Sequence, residues 1–219
     1  MNAIFFALIT YFGWGVGDVF GAIASRKIGG FQTTFWIMLG ATILFAPLTI
    51  PYWHTLITAP VFTILITFLI GFFFQSGNFA VNQALRLTDA SIVLTTMGSF
   101  GALIVLFSTL FLHEPMSLLL VLIIVCIFVG VFLCTYNPAA STGRNHIQGV
   151  WYAVYSAISF GIFFTVVKTL TPTLSWFWPI YLSFFWLPLF YIYLKKIDEA
   201  PTLSDFKHAG VPLIGSLVV

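Results

Sequence analysis

Charge is what this sequence has least of. Asp, Glu, Lys and Arg make up 6% of its 219 residues, against roughly 25% in ordinary soluble domains. Six acids and eight bases cannot give a body of this size a polar surface, so a soluble globular domain is excluded. A formal charge of +2 gives no reason to expect nucleic acid or another polyanion as partner. Cysteine is scarce too. Cys126 and Cys134 share one apolar run, about 12 Å apart along a helix and beyond disulfide reach; they read as small helix-packing residues. His54, His113, His146 and His208 are scattered in loops without paired spacing, so neither a metal site nor a cofactor is indicated. No Gly-x-x-x-x-Gly-Lys-Ser/Thr loop is present, which leaves ATP without a place as direct driver. Met1 to Ala3 lack a basic side chain, so the first apolar stretch is expected to act as its own uncleaved insertion signal.

What the chain has in abundance is apolar surface: 60% hydrophobic residues, with 26 Phe and 7 Trp. Lipid is the solvent that tolerates this composition, because the outside of a helix bundle can be as apolar as its core. A span needs about 20 apolar residues, and the charges mark where spans end. Helices are expected near 3–24, 31–50, 60–84, 90–112, 117–135, 148–168 and 174–194, an all-α polytopic transmembrane bundle whose first partner is the lipid bilayer. Most joints are short, so neighbouring helices are antiparallel. The last segment, 209–219, is too short to cross and looks like the first half of an eighth span of a longer protein. Shifting the chain by 146 places Gly15 on Gly161, Trp14 on Phe160, Thr10 on Ser156 and Phe31 on Phe177. That register predicts two five-helix repeats, 1–136 and an incomplete 147–219. An odd helix number inverts the second copy, an architecture common among secondary transporters. Loops one, three, five and seven carry Arg26, Lys27, Arg86, Arg144, Lys195, Lys196 and Lys207; positive-inside counting makes these loops cytoplasmic and the N-terminus external.

Several stretches resemble the EamA-type ten-helix branch of the drug/metabolite transporter superfamily. Tyr11-Phe-Gly-Trp-Gly-Val-Gly-Asp18 is similar to its opening Trp-Gly segment. Ala84-Leu-Arg-Leu-Thr-Asp-Ala-Ser91 resembles its link between helices three and four, and Leu110-Phe-Leu-His-Glu114 with Gly130-Val131 its helix four–five hairpin. One feature departs from the family: Met97-Gly98-Ser99 stands where a proline is usual in helix four. The resemblance implies ten helices, of which this chain would lack two and part of a third. It also implies transport of small metabolites or drug-like molecules across a membrane, here expected to be a bacterial cytoplasmic membrane.

Asp18 is the one ionisable residue well inside an expected span. A carboxylate there costs about 2.5–3.5 kcal/mol on the insertion scale, so it is a candidate proton-coupling site or counter-ion. The alternative is an ion pair with Arg26, Lys27 or Arg86. Gly13, Gly17 and Gly21 recur every four residues and form a helix-packing seam, with Trp14 on the stripe beside it. Span three carries Gly71, Gln75, Asn78 and Asn82 at helical spacing, span four Ser91, Thr95 and Ser99, and span six Trp151, Tyr155 and Ser159. Amides and hydroxyls facing lipid are costly, so these stripes face other helices or a wet cavity. Three stripes together with Asp18 point to a shared substrate cavity. Glu114, in a turn before Pro115, reads as a capping residue.

Gly15-Val16-Gly17-Asp18 fits the Gly-x-Gly-Asp pattern of intramembrane aspartyl proteases, but that chemistry needs a second carboxylate sharing the proton. Asp89 lies in a loop and no other acid is intramembrane; an enzyme is not expected. A channel or membrane scaffold is the remaining alternative, and neither rings of charge nor a filter loop appear. The expected function is a secondary transporter of a small-molecule substrate, working by alternating access and coupled to protons through Asp18.

Overall fold

The computed structural model describes residues 2–135 and 144–218, all in helices or short connections. Seven helical stretches are long and apolar enough to cross a membrane. They are built from α1 (Asn2–Ile28), α2 (Gly30–Phe45), α3 (Thr49–Thr58), α4 (Val61–Leu87), α5 (Ala90–Gly98), α6 (Phe100–Leu112), α7 (Leu118–Thr135), α8 (Arg144–Leu174), α9 (Phe177–Ser183) and α10 (Leu187–Lys196). A last helix, α11 (Leu203–Val218), packs on α1 and α2. The order and positions are those expected from the apolar runs. The helices are longer and the joints tighter, because each exposed backbone N–H and C=O that a helix absorbs is one fewer to satisfy near lipid.

The first joint shrinks from the five residues 26–30 to Gly29 alone, at φ 104°, a left-handed conformation that glycine adopts without strain. Gly30 follows where α2 passes close to α4: a Cβ there would stand 2.4–2.5 Å from backbone atoms of Asn82 and Gln83. Span two runs on through Pro51 to Thr58 instead of ending in a loop. The 3₁₀ turn Ala46–Leu48 between α2 and α3 takes up Pro47, which cannot donate to a regular helix. Span four is broken between α5 and α6 although it lacks the expected proline. Ser99 makes the break, its Oγ donating to the Thr96 carbonyl at 2.7 Å. The last helix begins at Leu203, six residues before the expected apolar segment, and is kinked at Ala209 above Pro212.

Helix α4 is the axis of the bundle, packed most extensively on α8 and further on α1, α2 and α9. Helix α7 is its opposite, burying Ile124 alone. Cys126 and Cys134 are exposed on it, so they present thiols outward and do not pack helices as their size suggested. Glu114 does not cap α7 either. Ser117 does so, accepting from Leu120 N–H at 3.2 Å, while Glu114 receives Lys168 Nζ at 2.6 and 2.8 Å and ties the α6–α7 turn to α8. The sequence reading missed this pair because its partners are 54 residues apart.

Candidate substrate cavity

The polar stripes divide by which side of α4 they occupy. At about 100° per residue, Phe74, Asn78 and Val81 share one face of α4, and Ser76, Phe79, Ala80 and Gln83 share roughly the opposite one. Gly71, Gln75 and Asn82 lie between them. The structure gives each face a different neighbour.

The first face borders a central cavity of about 360 Å³ walled by α1, α2, α4, α5, α6, α8, α9 and α11. Gly13, Trp14, Gly17, Asp18 and Asn78 line it among aromatic rings. Asp18 is half-buried and makes no hydrogen bond or ion pair among the described residues. The alternative, an ion pair with Arg26, Lys27 or Arg86, is not formed; Arg26 Nε meets the Leu85 carbonyl at 3.5 Å. Asn78 donates to the Phe74 carbonyl one turn back at 2.8 Å, which leaves its amide oxygen open. Trp14 leans on Phe100 at a ring separation of 6.4 Å. Phe100 continues into Phe160 and Phe164 of α8, so three spans share one aromatic wall. Ser216 of α11 completes the polar lining with Asp18 and Asn78.

The face between the two is consumed by helix contacts. Gln75 is fully buried and donates to Ser183 Oγ of α9 at 3.3 Å. Asn82 accepts from Ser25 Oγ of α1 at 3.2 Å and donates to the Asn78 carbonyl. The glycine seam meets this side and α11: a Cβ at Gly21 would stand 3.3 Å from the Asn82 amide oxygen, and one at Gly17 3.8 Å from the Ser216 carbonyl. Gly13 and Gly17 also line the cavity.

The remaining expected lining residues are not brought to the central cavity. Ser99 is buried in its own turn, Ser159 is buried where α8 crosses Gly77, and Thr95 is exposed. Tyr155 is on the opposite side of α4, its hydroxyl donating to Ser76 Oγ at 3.0 Å. One cavity therefore does not collect all three stripes. Helical spacing shows which residues share a face, but a polar face satisfied by a neighbouring helix has the same spacing as one that lines a cavity.

The opposite face of α4 borders a groove of about 820 Å³, running between α4, α8 and α10 toward the end of the bundle that holds Gly29 and Thr88. The sequence reading missed Ser76, Gln83, Gln148, Tyr152 and Tyr193 there. A signal was present: Phe72, Ser76, Phe79 and Gln83 recur at helical spacing, alternating ring and polar group.

Comparison with known proteins agrees with this architecture. No curated protein and no solved structure matches the chain. The family model of the EamA-like transporters matches residues 1–136, a stretch that contains Trp14, Asp18 and Asn78 and covers more than half of the sequence. With its apolar spans and helical bundle, the chain is an integral multi-pass membrane protein and belongs to the EamA-like transporter family, within the drug/metabolite transporter superfamily.

Proposed function

We propose that this protein is a secondary transporter of small molecules that works by alternating access, holds its substrate in the central cavity and couples transport to protons at Asp18. The observation that carries the reading is the Asp18 carboxylate, which lines a cavity walled by most of the spans and has no cationic partner among the described residues. An intramembrane carboxylate is expensive unless it is neutralised. A proton can neutralise it in one state and a substrate group in the other, and that exchange is the coupling. Asn78 and Ser216 supply hydrogen bonds that orient a bound molecule, and the rings around Trp14 and Phe100 supply apolar contact.

The repeat boundaries are part of this proposal: 1–136 as one five-helix unit and 147–219 as part of a second, inverted one. Two observations support it. The family match ends where the first unit is expected to end, and the repeat-related residues Trp14 and Phe160 both line the cavity.

The test is proton movement in proteoliposomes challenged with separate pools of amino acids, nucleosides, sugars and amines. One pool should drive proton flux with the parent protein and not with Asp18→Asn. Solute uptake that ignores the pH gradient and proceeds equally in Asp18→Asn removes the proton step; no uptake of any pool removes the transporter reading.

A further inference from the structure

The polar side chains of the central cavity favour one kind of guest. Asp18 is the one charged residue in its lining, and no Lys, Arg or His from any helix joins it there among the described residues. Asn78 directs its Nδ2 to the Phe74 carbonyl at 2.8 Å, so Oδ1 is the atom of this amide left without a partner. Ser216 adds a hydroxyl that no described residue bonds. The Trp14 indole, a single neutral N–H, is the one other polar group among the lining side chains.

The rest of the wall is apolar and mostly ring. Trp14, Phe100, Phe160 and Phe164 are linked through Phe100 at ring separations of 5.7–6.4 Å, and Phe74 and Phe184 line the cavity with them. Trp14 keeps 56% of its surface open, so little packing depends on it. The cavity volume of about 360 Å³ stands at the small end of ligand sites, which run from about 300 to 1,000 Å³.

We infer that the substrate is a primary ammonium ion on a small apolar body, with no carboxylate or phosphate of its own, an assignment that rests on the transporter function proposed above. The ammonium takes the place of the proton at Asp18, and Asn78 Oδ1 and Ser216 Oγ accept its remaining N–H groups. The rings hold the apolar body, and their faces attract the charge, most strongly at Trp. An amino acid would set its carboxylate among rings beside Asp18 with no cation to meet it, and like charges repel strongly in a site of low dielectric. The hydroxyls of a sugar would outnumber the neutral polar side chains that could bond them. An ethanolamine lipid headgroup has the same ammonium but brings a phosphate, which this lining disfavours as it does a carboxylate.

The experiment measures binding to the full chain in dodecyl maltoside micelles by calorimetry. The probes are 2-phenylethylamine, its N,N,N-trimethyl analogue, 2-phenylethanol, phenylalanine and 3-phenylpropionate. The amine should bind about tenfold or more tightly than each of the others. Asp18→Asn should bring amine and alcohol within about threefold of each other, and Trp14→Leu should weaken amine binding about fivefold, with helical circular dichroism unchanged in both. Another probe binding as tightly as the amine overturns the proposal, as does no measurable amine binding, or an undiminished preference for amine over alcohol in Asp18→Asn. Added phosphatidylethanolamine should not compete; competition assigns the site to the headgroup and sinks the free amine. Titration in two buffers of different ionisation enthalpy counts the protons released. An amine preference without proton release supports the ammonium ligand and removes the coupling at Asp18, so the ligand class and the proton step fail on different readouts.

Discussion

Two faces of one helix have opposite characters. The side of α4 that carries Asn78 looks into the central cavity with its one carboxylate. The side that carries Ser76 and Gln83 looks into a larger groove walled by rings. Between them, Gln75 and Asn82 are taken up by α9 and α1. The first half of α4 leaves Phe62, Leu65 and Leu69 exposed, whereas from Gly71 to Leu85 the helix is covered on all sides, so each third of its circumference there can be given a separate task. The glycines keep the tasks apart, because close contact at Gly30 and Gly71 places neighbouring helices against the strip between cavity and groove.

The strongest perturbation of this division is at Gly30. Gly30→Val forces a branched side chain into backbone of α4, and overpacking of this kind costs about 1–3 kcal/mol or more. Thermal unfolding in detergent should show a clear loss of stability, and a variant as stable as the parent would mean that α2 and α4 are not tightly packed. Next in size is Asp18→Asn, expected to cut proton-coupled uptake at least tenfold while the fold holds or gains stability, since the costly charge is gone. The two measurements together separate a working carboxylate from a structural one.

A smaller pair sharpens the contrast within α4. Gln75→Leu should lower stability by about 0.6 kcal/mol, the mean worth of an interhelical hydrogen bond in a membrane, with transport affinity unchanged. Asn78→Leu should do the reverse, raising the substrate KM with little change in unfolding. If both changes move the same readout, the boundary between cavity and packing strip is misplaced. The smallest effect belongs to Lys168→Gln. Its ion pair with Glu114 is largely exposed, and such pairs contribute about 0.2–1 kcal/mol. The loss should shrink further as salt is raised.

The spans were legible because lipid leaves the chain little choice. An apolar run of sufficient length has to be a helix, and residues such as Arg86 and Asp89 mark where it emerges. The site was legible in part. Asp18 stood out as a charge in an apolar run, and its stripe partner Trp14 came with it to the cavity. Gln75 and Asn82 were read as lining because their spacing matches that of Asn78, while hydrogen bonds to Ser183 and Ser25 depend on partners more than 50 positions away. Gln83, which lines the groove, gives no such signal on its own because it lies near the end of α4, where a polar residue is ordinary.

Composition and run length alone lead to a multi-pass helical membrane protein with one intramembrane carboxylate, since the free energy of exposing backbone and charge to lipid is paid segment by segment. Tertiary packing decided which polar residues meet a cavity, which meet another helix, and that α4 separates the central cavity from the groove. These are properties of pairs of helices, set by interhelical close approach and hydrogen bonding, and a single helix's periodicity carries no record of its neighbour.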